Sequence, residues 1–197
     1  MKKKIFLDFD STTANSVKAY CRVYNELYKS HKDFTYADYT KVNKWDFSDE
    51  CPMAVSRVES MFELDLFFYF LEVMNKCTLD VLKQLEQLYD VVICSIGTPE
   101  NISKKVRWID RNLGIKNMIL LSKNDVVMDK SIVDMSGGIL IDDHEDNLFS
   151  SNADIKICFG EVKSWNKNWQ GLRVKDWTEV GKLLINNNYK WGVEFYE

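Results

Sequence analysis

KIFLDFDSTTANS, residues 4–16, is the stretch from which the rest of the chain is read. Ile5, Phe6 and Leu7 form a short apolar run that reads as a buried strand. The run closes on Asp8, and Asp10 follows two residues later. Burying a lone carboxylate is costly unless a partner or a metal compensates it. Two carboxylates side by side also repel, so a cation is the natural third member. Oxygen ligands of this kind suit a hard ion such as Mg²⁺. A bare Asp-x-Asp is more often a strand end and a turn than a site. Here Thr12 extends it to Asp-x-Asp-x-Thr, and a second apolar run, GILIDD (138–143), closes on Asp142 and Asp143. Two acidic strand ends in a chain of alternating strands and helices predict one shared cation site. It would lie at the carboxyl edge of a parallel sheet, where open α/β folds place their ligands.

Between residues 14 and 88 no strand pattern is evident. ANSVKAYCRVYNELYKS (14–30) carries Val17, Tyr20, Cys21 and Tyr24 at helical spacing. Thr35 is placed to cap a short helix within 33–50. Residues 52–75 read as one or two very apolar helices, and Thr78 as the cap of another through Leu88. From residue 90 the pattern changes. DVVICSIG (90–97), NMILLS (117–122), GILIDD and DIKICFG (154–160) are apolar strands, and Pro99 opens a helix that Gly114 ends. Residues 161–175, with Trp165 and Trp169, look irregular, and Asp176 caps a last helix to about Asn188. The expected fold is a Rossmann-like, doubly wound parallel sheet of five strands. Residues 1–13 and 89–197 would form the core, and residues 14–88 a helical cap over the sheet edge.

Composition narrows the function classes. The 197 residues are 46% hydrophobic and 13% aromatic, enough for a real core. The formal net charge is −4, and the only basic block is Lys2-Lys3-Lys4, which argues against an extended nucleic-acid surface. Asp8 cuts the first apolar run too early for a signal peptide, and no run is long enough to span a membrane. The chain is expected to be soluble and unprocessed. Five scattered cysteines without a Cys-x-x-Cys pair suit a reducing, cytoplasmic setting. A monomer and a homodimer both stay open.

Four ordered features carry a resemblance: DFDST (8–12), Ser95 ending the second core strand, Lys130, and IDD (141–143). They match the motifs of the haloacid dehalogenase superfamily of phosphotransferases. The stretch DKSIVDMSGGILIDDHEDN (129–147) and the KWDF run resemble the 5′(3′)-deoxyribonucleotidase family. The resemblance implies a Mg²⁺-dependent phosphomonoesterase dephosphorylating deoxyribonucleoside monophosphates through an aspartyl-phosphate intermediate. Asp8 would be the nucleophile and Asp10 the general acid and base. Asp8, the Asp10 backbone carbonyl and Asp143 would hold the metal, with Asp142 sharing it or standing behind. Asp146 would be surface charge or reach the ion through water. Ser95 and the amides at Ile96 and Gly97 would hold phosphoryl oxygens, Thr12 would lie beside them, and Lys130 would balance charge. Lys123, in the same polar loop, is the rival to Lys130. Trp45 and Phe47 are candidates to line a base pocket by stacking, although core packing explains most cap aromatics.

Two departures touch the substrate. Met128 stands where the family often has an arginine, and His144 follows the Asp pair where another arginine is common. One cationic phosphate contact would then be absent or supplied elsewhere, for example by Lys104 or Lys105. Other small phosphoesters, such as a sugar phosphate or a 3′-phosphate end, remain rival substrates. A non-catalytic module binding phosphate or a partner protein is the rival of another class.

Overall fold

A computed structural model describes residues 2–124 and 126–186. Six parallel strands form one sheet in the order β3-β2-β1-β4-β5-β6. They are β1 (Lys4–Leu7), β2 (Asp90–Gly97), β3 (Met118–Ser122), β4 (Ile139–Asp142), β5 (Ile155–Phe159) and β6 (Leu172–Val174). The central strands are apolar because both faces are covered. Ile5, Leu7, Ile93, Ile139 and Ile141 join one core, while Phe6, Val92, Cys94 and Leu140 join a second on the other face. The chain runs outward from β1 to β3, then crosses back to β4. The order therefore reverses between β1 and β4, with Leu7 in register with Ile141. This reversal leaves a crevice at the carboxyl ends of two adjacent strands.

Before β2 come α1 (Ser16–Tyr28), α2 (Val58–Phe62), α3 (Asp65–Phe70) and α4 (Thr78–Leu88). After it come α5 (Pro99–Asn112), α6 (Glu145–Ser150) and α7 (Trp177–Gly181), the last continuing as a π turn over Lys182–Asn186. Asp176 caps α7, accepting from Glu179 N at 3.0 Å. The expected end of this helix near Asn188 lies outside the described residues.

Three features differ from the reading of the sequence. β6 is a sixth strand inside the stretch taken as irregular; it is three residues long, too short to show a period. No helix forms in residues 33–50. There, Asp49 accepts from the backbone of Asn43 and Lys44, and Asp38 from that of Thr40. Such local bonds compete with helix formation. Finally, α4 packs on β2 and α7. Its contacts with β2 place it in the layer covering the sheet.

Candidate active site

Asp8 follows β1 directly, and Asp142 ends β4 with Asp143 next. Asp8 N donates to Ile141 O at 2.9 Å, which fixes the two strand ends side by side. The carboxylates of Asp8, Asp142 and Asp143 are buried, and one oxygen of each lies within 4.8 Å of the others. Lys130 is completely buried between them, 2.5 Å from Asp8 Oδ1 and 2.5 Å from Asp142 Oδ2. Burial opposes the charge on Lys130, but Asp142 and Asp8 outweigh it and hold the ammonium well above the usual lysine range.

Three acids around one lysine leave negative charge uncompensated. Burial raises Asp8 to about 7, with Lys130 acting against it and Asp142 and Asp10 adding to the rise. Burial, then repulsion from Asp8 and Asp142, pushes Asp143 well above the ordinary carboxylate range. An additional cation would relieve both. The all-oxygen donor set suits a hard divalent ion.

The three acids differ in what their oxygens already accept. Both oxygens of Asp142 already accept: Lys130 takes Oδ2, while His144 N and Asn147 Nδ2 donate to Oδ1 at 2.9 and 3.1 Å. Asp143 Oδ2 accepts from Trp165 Nε1 at 2.9 Å. Among the described residues, no protein group donates to Asp143 Oδ1 or to Asp8 Oδ2. Asp146 stands outside this cluster, its side chain 75% exposed.

Asp10 sits on the turn leaving β1. Ser11 there has φ 56°, a left-handed conformation uncommon for a residue with a side chain. Thr13 Oγ1 braces the turn by donating to Asp8 O at 3.1 Å. Ser16 Oγ donates to Asp10 Oδ1 at 2.6 Å, and Lys105 Nζ pairs with Asp10 Oδ2. Lys105 is 1% exposed and also donates to Ser95 Oγ at 3.0 Å and to Ile96 O at 3.3 Å. Of Lys104 and Lys105, it is Lys105 that meets an acid of the site, Asp10; Lys104 binds Glu63 O and Asp65 instead.

A cavity of about 360 Å³ opens above these groups. Asp8, Asp10, Asp143 and Lys105 lie along it, as do Ile96 and Gly97 at the end of β2. Gly97 leaves room for the Asn101 amide, whose Oδ1 would lie 2.5 Å from any added Cβ. Trp45 also lines the cavity, edge-on to His144 at 4.9 Å and to Trp165 at 5.6 Å. Phe47 does not reach the cavity; with φ 57° it turns into the core, where its ring stacks on Tyr20 at 4.0 Å. Ser95 is fully buried behind Lys105. Thr12 is also enclosed: its carbonyl accepts from Trp177 Nε1 at 2.7 Å and, among the described residues, its hydroxyl has no partner. Lys123 stands at the cavity mouth, 42% exposed, away from the acids that Lys130 joins. The role of Trp165 was invisible in the sequence, where it is one of two tryptophans in an irregular stretch.

Among the described residues, no helix is long and apolar enough to cross a membrane. No curated protein matches the chain in sequence. Solved structures do resemble it. One is described as a predicted phosphatase from Clostridium acetobutylicum, with 14% identity and TM-score 0.65, covering 92% of this chain and 97% of that one. A haloacid dehalogenase-like hydrolase from Streptococcus pneumoniae has 15% identity and TM-score 0.59, covering 91% and 96%. CbbY from Rhodobacter sphaeroides, solved with phosphate, has 12% identity and TM-score 0.57, covering 92% and 97%. At these identities the likeness establishes the fold. The family model described as "5′ nucleotidase, deoxy (Pyrimidine), cytosolic type C protein" matches residues 2–189. With its paired strand-end acids and buried lysine, the chain therefore belongs to that family, within the haloacid dehalogenase superfamily of phosphatases.

Proposed function

We propose that the protein is a Mg²⁺-dependent phosphatase of deoxyribonucleoside monophosphates, working through an aspartyl-phosphate on Asp8. The observation that carries this reading is the unequal use of the Asp8 oxygens. Oδ1 is fixed by Lys130, while among the described residues no protein group donates to Oδ2, and Asp8 lines the cavity. A carboxylate held at one oxygen and free at the other is oriented for attack.

Asp8, Asp143 and the Asp10 carbonyl would hold the ion. Bound there, it would supply charge neutralisation for the approach of a phosphate dianion to a carboxylate. Asp142, with both oxygens occupied, serves to position Lys130. Asp8 Oδ2 attacks phosphorus, and the bond from phosphorus to the ester oxygen breaks. Asp10 gives its proton to that leaving oxygen, then takes one from the water that attacks the aspartyl-phosphate, releasing inorganic phosphate. For this, Lys105 passes from Asp10 to the phosphoryl oxygens as substrate enters, leaving Asp10 free to carry the proton. That transfer also supplies a cation where Met128 and His144 stand in place of arginines. The sugar and base would occupy the outer cavity beside Trp45 and Phe62. Five free cysteines and the family's cytosolic description support a cytoplasmic setting.

The test is phosphate release from a panel of deoxyribonucleoside monophosphates and sugar phosphates, with Mg²⁺ or with EDTA. Metal-dependent turnover of the nucleotides, lost in Asp8→Asn, is expected. Faster turnover of sugar phosphates would move the substrate assignment.

A further inference from the structure

Two carbonyls at the end of α2 find their hydrogen-bond donors on α5. The last carbonyls of a helix have no partner within it. Asn101 Nδ2 donates to Phe62 O at 2.8 Å, and Lys104 Nζ to Glu63 O at 2.6 Å. Thr98 Oγ1 adds a bond to Glu63 Oε1 at 2.6 Å. Asn101 is the most enclosed of the three donors, 3% exposed, and its two ends meet different parts of the cavity. Its Nδ2 holds Phe62, whose ring lines the cavity and packs on Tyr20 at 5.2 Å and Phe67 at 4.9 Å. Its Oδ1 lies against Gly97, at the end of β2. Gly97 is fixed by the sheet: it stands in register with Ser122, and its carbonyl accepts from Lys123 N at 2.8 Å. Phe62 ends a five-residue helix and has no sheet ladder behind it.

We infer that Asn101 is a positioning residue that sets the span between the phosphate end of the cavity and its aromatic base wall; this rests on the nucleotidase reading above. A nucleoside monophosphate has to meet both ends at once. A wall already in place spares the ligand the ordering that contact with it otherwise requires. Asn101 acts through Phe62 and not on the reacting atoms. When the amide is removed, the sheet still holds Gly97, whereas Phe62 loses its tie to α5. The base then loses contact while the phosphate keeps its own. The same bond explains the glycine at 97: a Cβ there would stand 2.5 Å from Asn101 Oδ1 and force the amide away.

Two measurements test the assignment in Asn101→Leu, which keeps the bulk and removes the amide, and in Asn101→Ala, which adds no branch should leucine disturb the fold. The first compares dTMP with 2-deoxyribose 5-phosphate, which shares the phosphate and sugar and lacks the base. KM for dTMP should rise about 3- to 10-fold, the worth of one hydrogen bond, with kcat nearly unchanged. kcat/KM for the sugar phosphate should stay within about two-fold of wild type. Equal losses on both substrates, or an unmoved KM for dTMP, overturn the assignment. The second is amide hydrogen exchange of the metal-free protein, which needs no substrate. Both variants should speed exchange in α2 and α3 and leave β1 and β4 unchanged. Unchanged exchange in α2 and α3 also overturns it. A wild type that turns over dTMP no better than the sugar phosphate removes the nucleotidase reading instead, and hydrogen exchange alone then decides whether Asn101 positions Phe62.

Discussion

Trp165 Nε1 donates to Asp143 Oδ2 at 2.9 Å, so the loop before β6 holds one of the two acids with an oxygen left open. The same indole meets Trp45 at 5.6 Å, which ties the acid to the cavity wall. Partners that orient a metal ligand commonly matter 10–100-fold in metal affinity. Trp165→Phe keeps the ring and removes the donor. Mg²⁺ titration of its phosphatase activity should show half-saturation at a concentration about 10-fold higher. An unchanged titration would reduce the indole to packing.

Lys130 is the cation that makes three buried acids tolerable. Lys130→Met strands Asp8 and Asp142 without their common partner. Breaking a buried pair from one side costs about 3–5 kcal/mol. Urea denaturation in EDTA should show a loss of that order. Adding Asp142→Asn should recover part of it, because one stranded charge is removed. A loss below about 1 kcal/mol would place the lysine at the surface in solution.

How much of this was legible in the sequence depends on how local each signal is. Asp8, Asp10, Asp142 and Asp143 end apolar runs, so the strand pattern alone placed them at one sheet edge. Lys130 came from the family resemblance, whose motif lysine stands at a similar spacing to the Asp pair. Lys105 was harder: adjacent residues on a helix point about 100° apart, and the sequence does not say which of Lys104 and Lys105 faces the sheet. Trp165 and β6 lie among polar residues with no period, and their places are set by β5 and Asp143. In the KWDF run, Trp45 reaches the cavity while Phe47, at φ 57°, turns into the core. A backbone conformation rarely adopted by residues with a side chain separates them, and no residue pattern announces it.

Lys105 and Lys104 make a controlled comparison. Lys105→Gln removes the ammonium from Asp10 and, in the proposed mechanism, from the phosphoryl oxygens. A loss of about 100-fold in kcat/KM is expected, with kcat and KM both affected. Lys104→Gln removes a contact to Glu63 O and Asp65 on the cap side. Its expected effect is under about 5-fold, the scale of a partly exposed contact. Equal losses in the two variants would show that general damage to α5 is being measured.

The raised carboxylates set a pH dependence whose sign is unusual for acids. Burial brings Asp8 to about 7 and raises Asp143 as well. In the unfolded chain both titrate near 4. Between those values, the metal-free fold keeps protons that the unfolded chain has lost. Stability therefore falls as pH rises from about 4 to about 7, by an amount on the order of a few kcal/mol. Glu72, held low by its hydrogen bonds to Lys18 and Arg22, works in the opposite direction: its contribution is lost as pH falls below its ordinary 4.5. A comparison of about pH 5 with about pH 7.5 thus isolates the buried acids. In EDTA the urea midpoint should be higher at the lower pH. Mg²⁺ at the proposed site would bind the ionised acids, so it should raise the midpoint at the higher pH and change it little at the lower. A midpoint in EDTA that rises with pH, together with no response to Mg²⁺, would mean that Asp8 and Asp143 are already ionised and satisfied without a metal.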